Sequence, residues 1–143
     1  MPNSKVKLTM QVEQEHDKAQ TAYETNAYFL EKAGKFFLFF DEENEDNHIT
    51  KCRFEISDDT LRIRRNGPIF MEQTHVKHQK TTGYMKTPFG HIATEVQTFQ
   101  LSFIQQMSGH YELKLNYDLY TDNEKTGTYS LAIIIQSKED IGS

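Results

Sequence analysis

The sequence contains little of what secreted, metal-binding or membrane proteins require. Its single cysteine, Cys52, excludes a disulfide framework and a cysteine-rich metal site. No unbroken apolar run exceeds five residues and the N-terminal residues lack an apolar stretch for export, so we expect neither a membrane span nor secretion. The net charge of −5 argues against contact with a nucleic-acid phosphate backbone. We therefore expect a cytoplasmic protein with neither a nucleic-acid nor a membrane partner.

Aromatic side chains are plentiful although tryptophan is absent. Ten Phe and seven Tyr make up 12% of the 143 residues, in a chain that is only 36% hydrophobic. A disordered chain lacks such residues and cannot offset the entropy lost on ordering. A chain of this length buries about two-thirds of its unfolded surface, so we expect one folded domain over residues 1–143.

Three segments alternate apolar and polar side chains. On a β-strand this pattern places one face in a core and the other in water. The apolar members are Val6, Leu8, Met10 and Val12; Tyr111, Leu113, Leu115, Tyr117 and Leu119; and Tyr129, Leu131, Ile133 and Ile135. The pattern predicts three strands.

Turn-forming residues divide the chain into ten segments. Asn66-Gly67 predicts a hairpin with a type I′ turn, because both residues accept positive φ, and Pro68 can begin the next strand. The segments lie near residues 5–13, 19–32, 35–42, 47–57, 60–66, 68–79, 81–87, 91–105, 110–121 and 128–137. Short links at regular spacing favour an all-β antiparallel meander of about eight to ten strands that closes into a barrel and so has no free edge.

Residues 17–34 allow two interpretations. One face of a helix would consist of Ala19, Ala22, Tyr23, Asn26, Ala27, Leu30 and Ala33, with Asp17 as N-cap and Gly34 after the C-terminus. One face of a strand would instead consist of Thr21, Tyr23, Thr25, Ala27 and Phe29. The residues alone favour the helix.

The apolar side chains change from one strand face to the other within residues 91–105. They stand at even positions first, at Ile92 and Val96, and then at odd positions, at Phe99, Leu101 and Phe103. Because the pleat has a period of two, the change predicts a bulge or a bend.

Several motifs resemble those of the YwiB-like proteins, small bacterial proteins of unknown function. They are Arg65-Asn66-Gly67, Met71-Glu72-Gln73, Tyr84-Met85-Lys86-Thr87-Pro88-Phe89-Gly90, Tyr117-Asp118-Leu119-Tyr120 and Gly127-Thr128-Tyr129. The resemblance covers nearly the whole chain and implies a calycin-like, lipocalin-type β-barrel. It also implies that residues 19–32 form a strand. It brings no activity and no catalytic residues.

Polar residues on otherwise apolar strand faces suggest a binding site in the barrel lumen. If those faces point inward, the lumen holds Arg65, Gln73, His75, Tyr117 and Tyr129. A buried arginine is costly unless paired, and a bound carboxylate would serve, which suggests an anionic or amphipathic small ligand. The alternative is a structural role, such as a network of Arg65 with Glu72 or a backbone carbonyl, or an Arg65 side chain that reaches the rim of the barrel. Which face of residues 68–79 points inward stays open.

The histidines and the cysteine give no pattern typical of a metal or catalytic site. His75 and His78 lie three residues apart and so point to opposite faces of a strand. Cys52 shares an apolar face with Phe54 and Ile56, which predicts a core position. We expect no metal, no cofactor and no catalytic residue.

The acidic stretch 41–46 lacks the ligand spacing and the glycine of a calcium loop. Such a stretch is typical of a solvated loop that discourages aggregation of the apolar strand before it.

The segment Phe36-Phe37-Leu38-Phe39-Phe40 is apolar on both faces. Its outer face must be covered, either by the chain's own termini or by a second copy. The second alternative predicts a homodimer in which Phe37 and Phe39, or the opposite set Phe36 and Phe40, form the interface.

Three classes of function follow. The first is a β-barrel that binds a small amphipathic or anionic ligand. The second is a ligand-free interaction module or homodimer acting through residues 36–40. The third, an enzyme, is the least favoured, because the chain has no nucleophile elbow, no phosphate loop and no paired ligand histidines.

Overall fold

The computed structural model describes residues 2–44 and 46–138, and every regular element within these ranges is a strand. Glu45, in the predicted acidic loop, lies outside the described residues. The strands are β1 (Ser4–Gln14), β2 (Asp17–Lys32), β3 (Lys35–Glu43), β4 (Ile49–Ser57), β5 (Thr60–Asn66), β6 (Phe70–Val76), β7 (Lys80–Thr87), β8 (Gly90–Gln105), β9 (Tyr111–Thr121) and β10 (Glu124–Ser137). All ten correspond to predicted segments.

The strands form a closed antiparallel meander. Each pairs with its neighbours in sequence, and β1 pairs with β10 with Leu8 opposite Ile133. Closure gives every strand a neighbour on both sides, although β2 pairs with β3 only from Ala27 onward. The predicted all-β barrel is therefore confirmed, with ten strands.

Residues 17–34 form a strand and a turn, and the helical interpretation is wrong. β2 pairs with β1 from Asp17 to Ala27 and with β3 from Ala27 to Lys32, so each part of the strand is hydrogen-bonded to a neighbouring strand. Tertiary pairing here outweighs helical spacing. Ala33 and Gly34, both with positive φ, make the two-residue turn into β3.

The predicted irregularity in residues 91–105 is a bulge at Phe99. The register between β8 and β9 shifts between Thr98 and Gln100, and Phe99 is left half exposed. Because of the extra residue, odd-numbered side chains point inward after the bulge, and Leu101 is buried on the inner face.

The β5–β6 hairpin exists, but its predicted type I′ turn does not. Asn66 ends β5, and neither Asn66 nor Gly67 has positive φ. Pro68 restricts the residue before it to extended conformations, which disfavours the left-handed turn. Gly67 is required for another reason: a Cβ there would lie 2.4 Å from Thr50 Oγ1. β6 accordingly begins at Phe70, not at Pro68.

A turn with two positive φ values occurs instead at Asp122-Asn123, where φ is 52° and 65°. As a result β10 begins at Glu124, four residues before the predicted start.

The two ends of the barrel are filled differently. At the end with the β2–β3 and β8–β9 turns, four aromatic rings pack with centroids 5.0–6.2 Å apart. They belong to Phe29, Phe36, Phe103 and Tyr111. Fully buried side chains such as Leu38 fill the middle. The opposite end, which we call the mouth, carries the turns after β1, β3, β5, β7 and β9, and the cavity described below lies toward it.

Candidate functional site

A cavity of about 300 Å³ occupies the half of the lumen nearest the mouth. Three flexible methionines, Met10, Met71 and Met85, form part of its wall together with leucines of β1, β9 and β10. This volume is at the lower end of small-ligand pockets, and a water molecule takes up about 30 Å³ of liquid. The cavity therefore has room for a small, partly apolar molecule.

An ion pair lies at the mouth side of the cavity. Arg65 Nη2 is 2.8 Å from Glu42 Oε1, and the Tyr23 hydroxyl donates to Glu42 Oε2 at 2.8 Å. Burial lowers the pKa of Arg65, but the Glu42 carboxylate together with Cys52 and Tyr23 outweighs burial, and the pKa is raised. Burial and the hydrogen bond to Glu42 raise the pKa of Tyr23. Both groups keep their protons at neutral pH.

The partner suggested for Arg65 from the sequence was partly wrong. Glu72 lies on the outer surface, where it pairs with Arg62 at 3.4 Å and Arg64 at 3.3 Å. Glu72 and Arg65 have opposite parity on paired strands, so they point to opposite sides of the barrel wall. A structural partner does exist, but it is Glu42.

A hydrogen-bonded chain of side chains lies deeper in the lumen. His75 Nδ1 is 3.0 Å from Thr98 Oγ1, and His75 Nε2 is 3.0 Å from Gln73 Oε1. Because the Gln73 oxygen can only accept, His75 is protonated on Nε2 and accepts from Thr98 on Nδ1. Burial lowers the pKa of His75 to about 4, so the ring is neutral at pH 7. His75 thereby fixes the orientation of the Gln73 amide.

Two tyrosines continue the cavity wall beside Gln73. The Tyr117 ring stacks on Tyr129 with centroids 5.0 Å apart and planes 5° apart. The His75 ring centroid is 4.5 Å from that of Tyr117. Burial raises the pKa of both tyrosines. Within the described chain nothing hydrogen-bonds the Tyr129 hydroxyl, so this group can donate to a ligand.

The structure brings four of the five predicted lumen residues to the cavity wall: Arg65, Gln73, Tyr117 and Tyr129. The fifth, His75, also points inward but lies behind Gln73, fully buried. The open question about residues 68–79 is thus answered, since Met71, Gln73 and His75 face the lumen. All five predicted lumen residues lie on inner faces.

Sequence reasoning missed Glu42 and Tyr23. Glu42 was assigned to the acidic loop, although it shares its parity with Phe36 and Phe40 on β3. Alternation along β3 would have placed it in the lumen. Tyr23 lies on the strand face already considered for β2, and β2 brings it opposite Leu8.

Cys52 also lines the cavity, on the predicted inner face. Its Sγ is 3.9 Å from the carbonyl oxygen of Thr50. Burial raises the pKa of the thiol to about 11, although Arg65 acts in the opposite direction. The group is therefore an uncharged thiol at neutral pH, and a weak nucleophile.

The outer face of β3 carries Phe37 and Phe39, while Phe36 and Phe40 point inward. The Arg53 guanidinium lies 5.9 Å from the Phe37 ring centroid and 5.6 Å from that of Phe39, so it covers part of both rings. Leu30 of β2 lies beside them and is 42% exposed. We call Phe37, Phe39 and Leu30 the outer apolar patch.

The remaining candidates do not converge. His78 lies in the turn between β6 and β7, away from His75 in the lumen. Within residues 2–44 and 46–138, no three His, Cys, Asp or Glu side chains are grouped as metal ligands. The same ranges contain no helix of the length and hydropathy needed to span a membrane.

Comparison with known proteins agrees with this fold. A family model described as "Domain of unknown function (DUF1934)" matches residues 6–133. Among solved structures, the chain is similar to the one described as the crystal structure of ywiB protein from Bacillus subtilis, with a TM-score of 0.82. The two are 16% identical, and the match covers 95% of this chain and 92% of that one. Identity this low establishes the fold alone. No curated protein matches.

Proposed function

The chain belongs to the DUF1934 family, whose description assigns no function, and from the geometry of its lumen we propose that it binds a small amphipathic molecule inside a YwiB-like barrel. On this proposal the protein is a calycin-like cytoplasmic binding protein, not an enzyme.

The observation that carries the proposal is the unequal filling of the lumen. The half opposite the mouth is packed with aromatic and aliphatic side chains, beside which a cleft of about 540 Å³ opens between the β4–β5 turn and β8, whereas the mouth half keeps a cavity of about 300 Å³ inside the ring of strands. Side chains just fill the interior of a barrel of about eight strands, and the diameter grows with the number of strands, so a closed barrel of ten strands has room for such a cavity. Its walls combine apolar side chains with a few fixed polar groups, the usual composition of ligand sites.

The titratable groups in the lumen support binding over catalysis. His75 is neutral with a pKa of about 4, and Cys52 is a thiol with a pKa of about 11. A general base works best with a pKa near the operating pH, and a nucleophilic cysteine needs a lowered pKa. Burial shifts both groups away from those values.

Fluorescence of the uncharged probe N-phenyl-1-naphthylamine tests the proposal. We expect wild-type protein to bind one equivalent with increased emission. Met10→Trp, which fills the cavity, should weaken binding at least about tenfold, whereas Thr9→Trp on the outer face of the same strand should not. Equal binding by both variants would place the probe outside the lumen and contradict the proposal.

A second candidate function rests on the outer apolar patch. Because each strand of the closed barrel has a neighbour on both sides, the proposed association uses the outer face of the strands and not strand addition. Phe37 and Phe39 point outward beside the exposed Leu30, as a self-associating surface requires. This supports a homodimer, whose test is given below.

A further inference from the structure

We propose that Glu42 makes the lumen selective for uncharged amphiphiles over anionic ones, because it already neutralises Arg65, the one cation among the described residues that line the cavity. This inference rests on the proposed function, since it concerns the class of ligand that the lumen accepts.

Arg65 lies where a ligand would enter. Besides the lumen cavity, it lines a second cavity of about 290 Å³ whose wall includes Asn44 and Pro68 of the mouth loops. Met71 and Met85 also line both cavities. A molecule that enters from the mouth therefore passes the Arg65–Glu42 pair.

The ion pair opposes the binding of an anion. Glu42 uses both carboxylate oxygens, one for Arg65 and one for the Tyr23 hydroxyl. Both side chains of the pair are about one-third exposed or less, so water screens them only partly. A ligand carboxylate or sulfonate that accepted from the remaining N–H groups of Arg65 would lie beside the Glu42 carboxylate and be repelled by it, and one that displaced Glu42 would leave that carboxylate half-buried without its cation.

The surroundings add to this effect. Asp41, Glu43 and Asp46 are exposed next to Glu42, and Lys51 lies opposite Asp41 in the β3–β4 pair. The described acidic groups of this loop thus outnumber the one lysine opposite them. They repel an approaching anion, within a range that salt limits to about 10 Å at 0.1 M.

An uncharged ligand meets no such opposition. The Tyr129 hydroxyl can donate to a carbonyl, ether or hydroxyl oxygen, and Arg65 has further N–H groups beyond the one on Glu42. The methionine wall adapts to an apolar body of varied shape. The chemistry therefore fits an amphiphile with an uncharged oxygen-bearing head.

Two naphthylamine probes that differ by one charged group test this inference. N-phenyl-1-naphthylamine is uncharged, and 1-anilinonaphthalene-8-sulfonate carries a sulfonate on the same framework. We expect wild-type protein to bind the uncharged probe at least about tenfold more tightly. This ratio needs no variant and tests the inference by itself.

Substitution of Glu42 gives the matched test. Glu42→Gln keeps the shape and a hydrogen bond to Arg65 but removes the negative charge, so we expect the sulfonate probe to bind at least about tenfold more tightly. Glu43→Gln changes the net charge by the same amount on an exposed side chain, and should change binding less than about threefold.

The outcomes separate the two proposals. If Met10→Trp does not weaken binding of the uncharged probe, the lumen is not the site, and both proposals fail. If that probe enters the lumen but the sulfonate probe binds there as tightly, only the selectivity is overturned. Equal effects of Glu42→Gln and Glu43→Gln would likewise overturn it, since they would reflect net charge alone.

Discussion

At the scale of single residues, one fully buried polar side-chain atom among the described residues has no hydrogen-bond partner. The Thr94 hydroxyl is buried and has no hydrogen-bond partner, whereas the Thr98 hydroxyl bonds to His75. A buried hydroxyl without a partner costs about 1–3 kcal/mol, and a satisfied one contributes about 1 kcal/mol.

The same substitution at these two threonines should therefore have opposite effects. Thr94→Val should raise the free energy of unfolding by about 1 kcal/mol, and Thr98→Val should lower it by about 1–2 kcal/mol because His75 loses its donor. Urea denaturation at pH 7 measures both. A loss of stability in Thr94→Val would mean that its hydroxyl is satisfied.

The buried His75 predicts a dependence of stability on pH. Its pKa is about 4 in the folded protein against 6.5 for an unperturbed histidine, so between these values the unfolded chain binds the proton first. The contribution of His75 to the free energy of unfolding is therefore fully present above pH 6.5. It is lost as the pH falls toward 4, by up to about 3 kcal/mol.

His75→Gln removes this titration and keeps a hydrogen-bonding side chain. Between pH 7.5 and 4.5 the variant should lose less stability in urea than the wild-type protein. The carboxylates are common to both proteins, so the difference reports His75. An equal loss of stability in the wild-type protein and in His75→Gln would show that this histidine is accessible to protons in the folded state.

At the scale of strands, alternation predicted most of what the structure contains. It placed Arg65, Tyr117 and Tyr129 on the apolar faces that the structure turns inward, because the pleat has a period of two, but it left open which face of residues 68–79, and so Gln73, points inward. It could not pair Arg65 with Glu42, since that contact depends on the register between β3, β4 and β5. A side chain's face is a local property, but its partner across the barrel is not.

Turns were predicted less well for a similar reason. Asn66-Gly67 has the composition of a type I′ turn, but Pro68 and the close approach of Thr50 impose another conformation. Residues 17–34 needed the resemblance to a known family, because their spacing suits a helix and only pairing with β1 and β3 makes them a strand.

The register of β9 and β10 can be tested by truncation. Tyr117 and Leu131 are buried, and we expect Tyr117→Ala and Leu131→Ala each to lower the free energy of unfolding by about 2–5 kcal/mol. Lys114→Ala, on the outer face of β9, should change it by no more than about 0.5 kcal/mol. Comparable losses at Tyr117 and Lys114 in urea denaturation would contradict this register.

At the scale of the whole molecule, closure of the barrel restricts how it can associate. A homodimer through the outer apolar patch should bury on the order of 1,200–2,000 Å² in total, with aromatic residues contributing most of the stability. We expect the double variant Phe37→Ser and Phe39→Ser to sediment as a monomer and to keep its β circular dichroism. Phe40→Ser, on the inner face, should instead destabilise the fold.

Sedimentation of wild-type protein at micromolar concentration distinguishes the monomer from the homodimer. A species of twice 16.7 kDa that the double variant abolishes supports the homodimer. A wild-type monomer of 16.7 kDa would mean that Arg53 and neighbouring side chains cover the patch sufficiently, and the second candidate function should be abandoned.

The central claim is that the half-filled lumen is a binding site, and a crystal structure with N-phenyl-1-naphthylamine tests it most directly. We predict electron density for one probe molecule between Met10, Met71 and Tyr129, on the inner side of the Arg65–Glu42 pair. Probe density confined to the outer surface, with the lumen closed by its own side chains, would contradict the account.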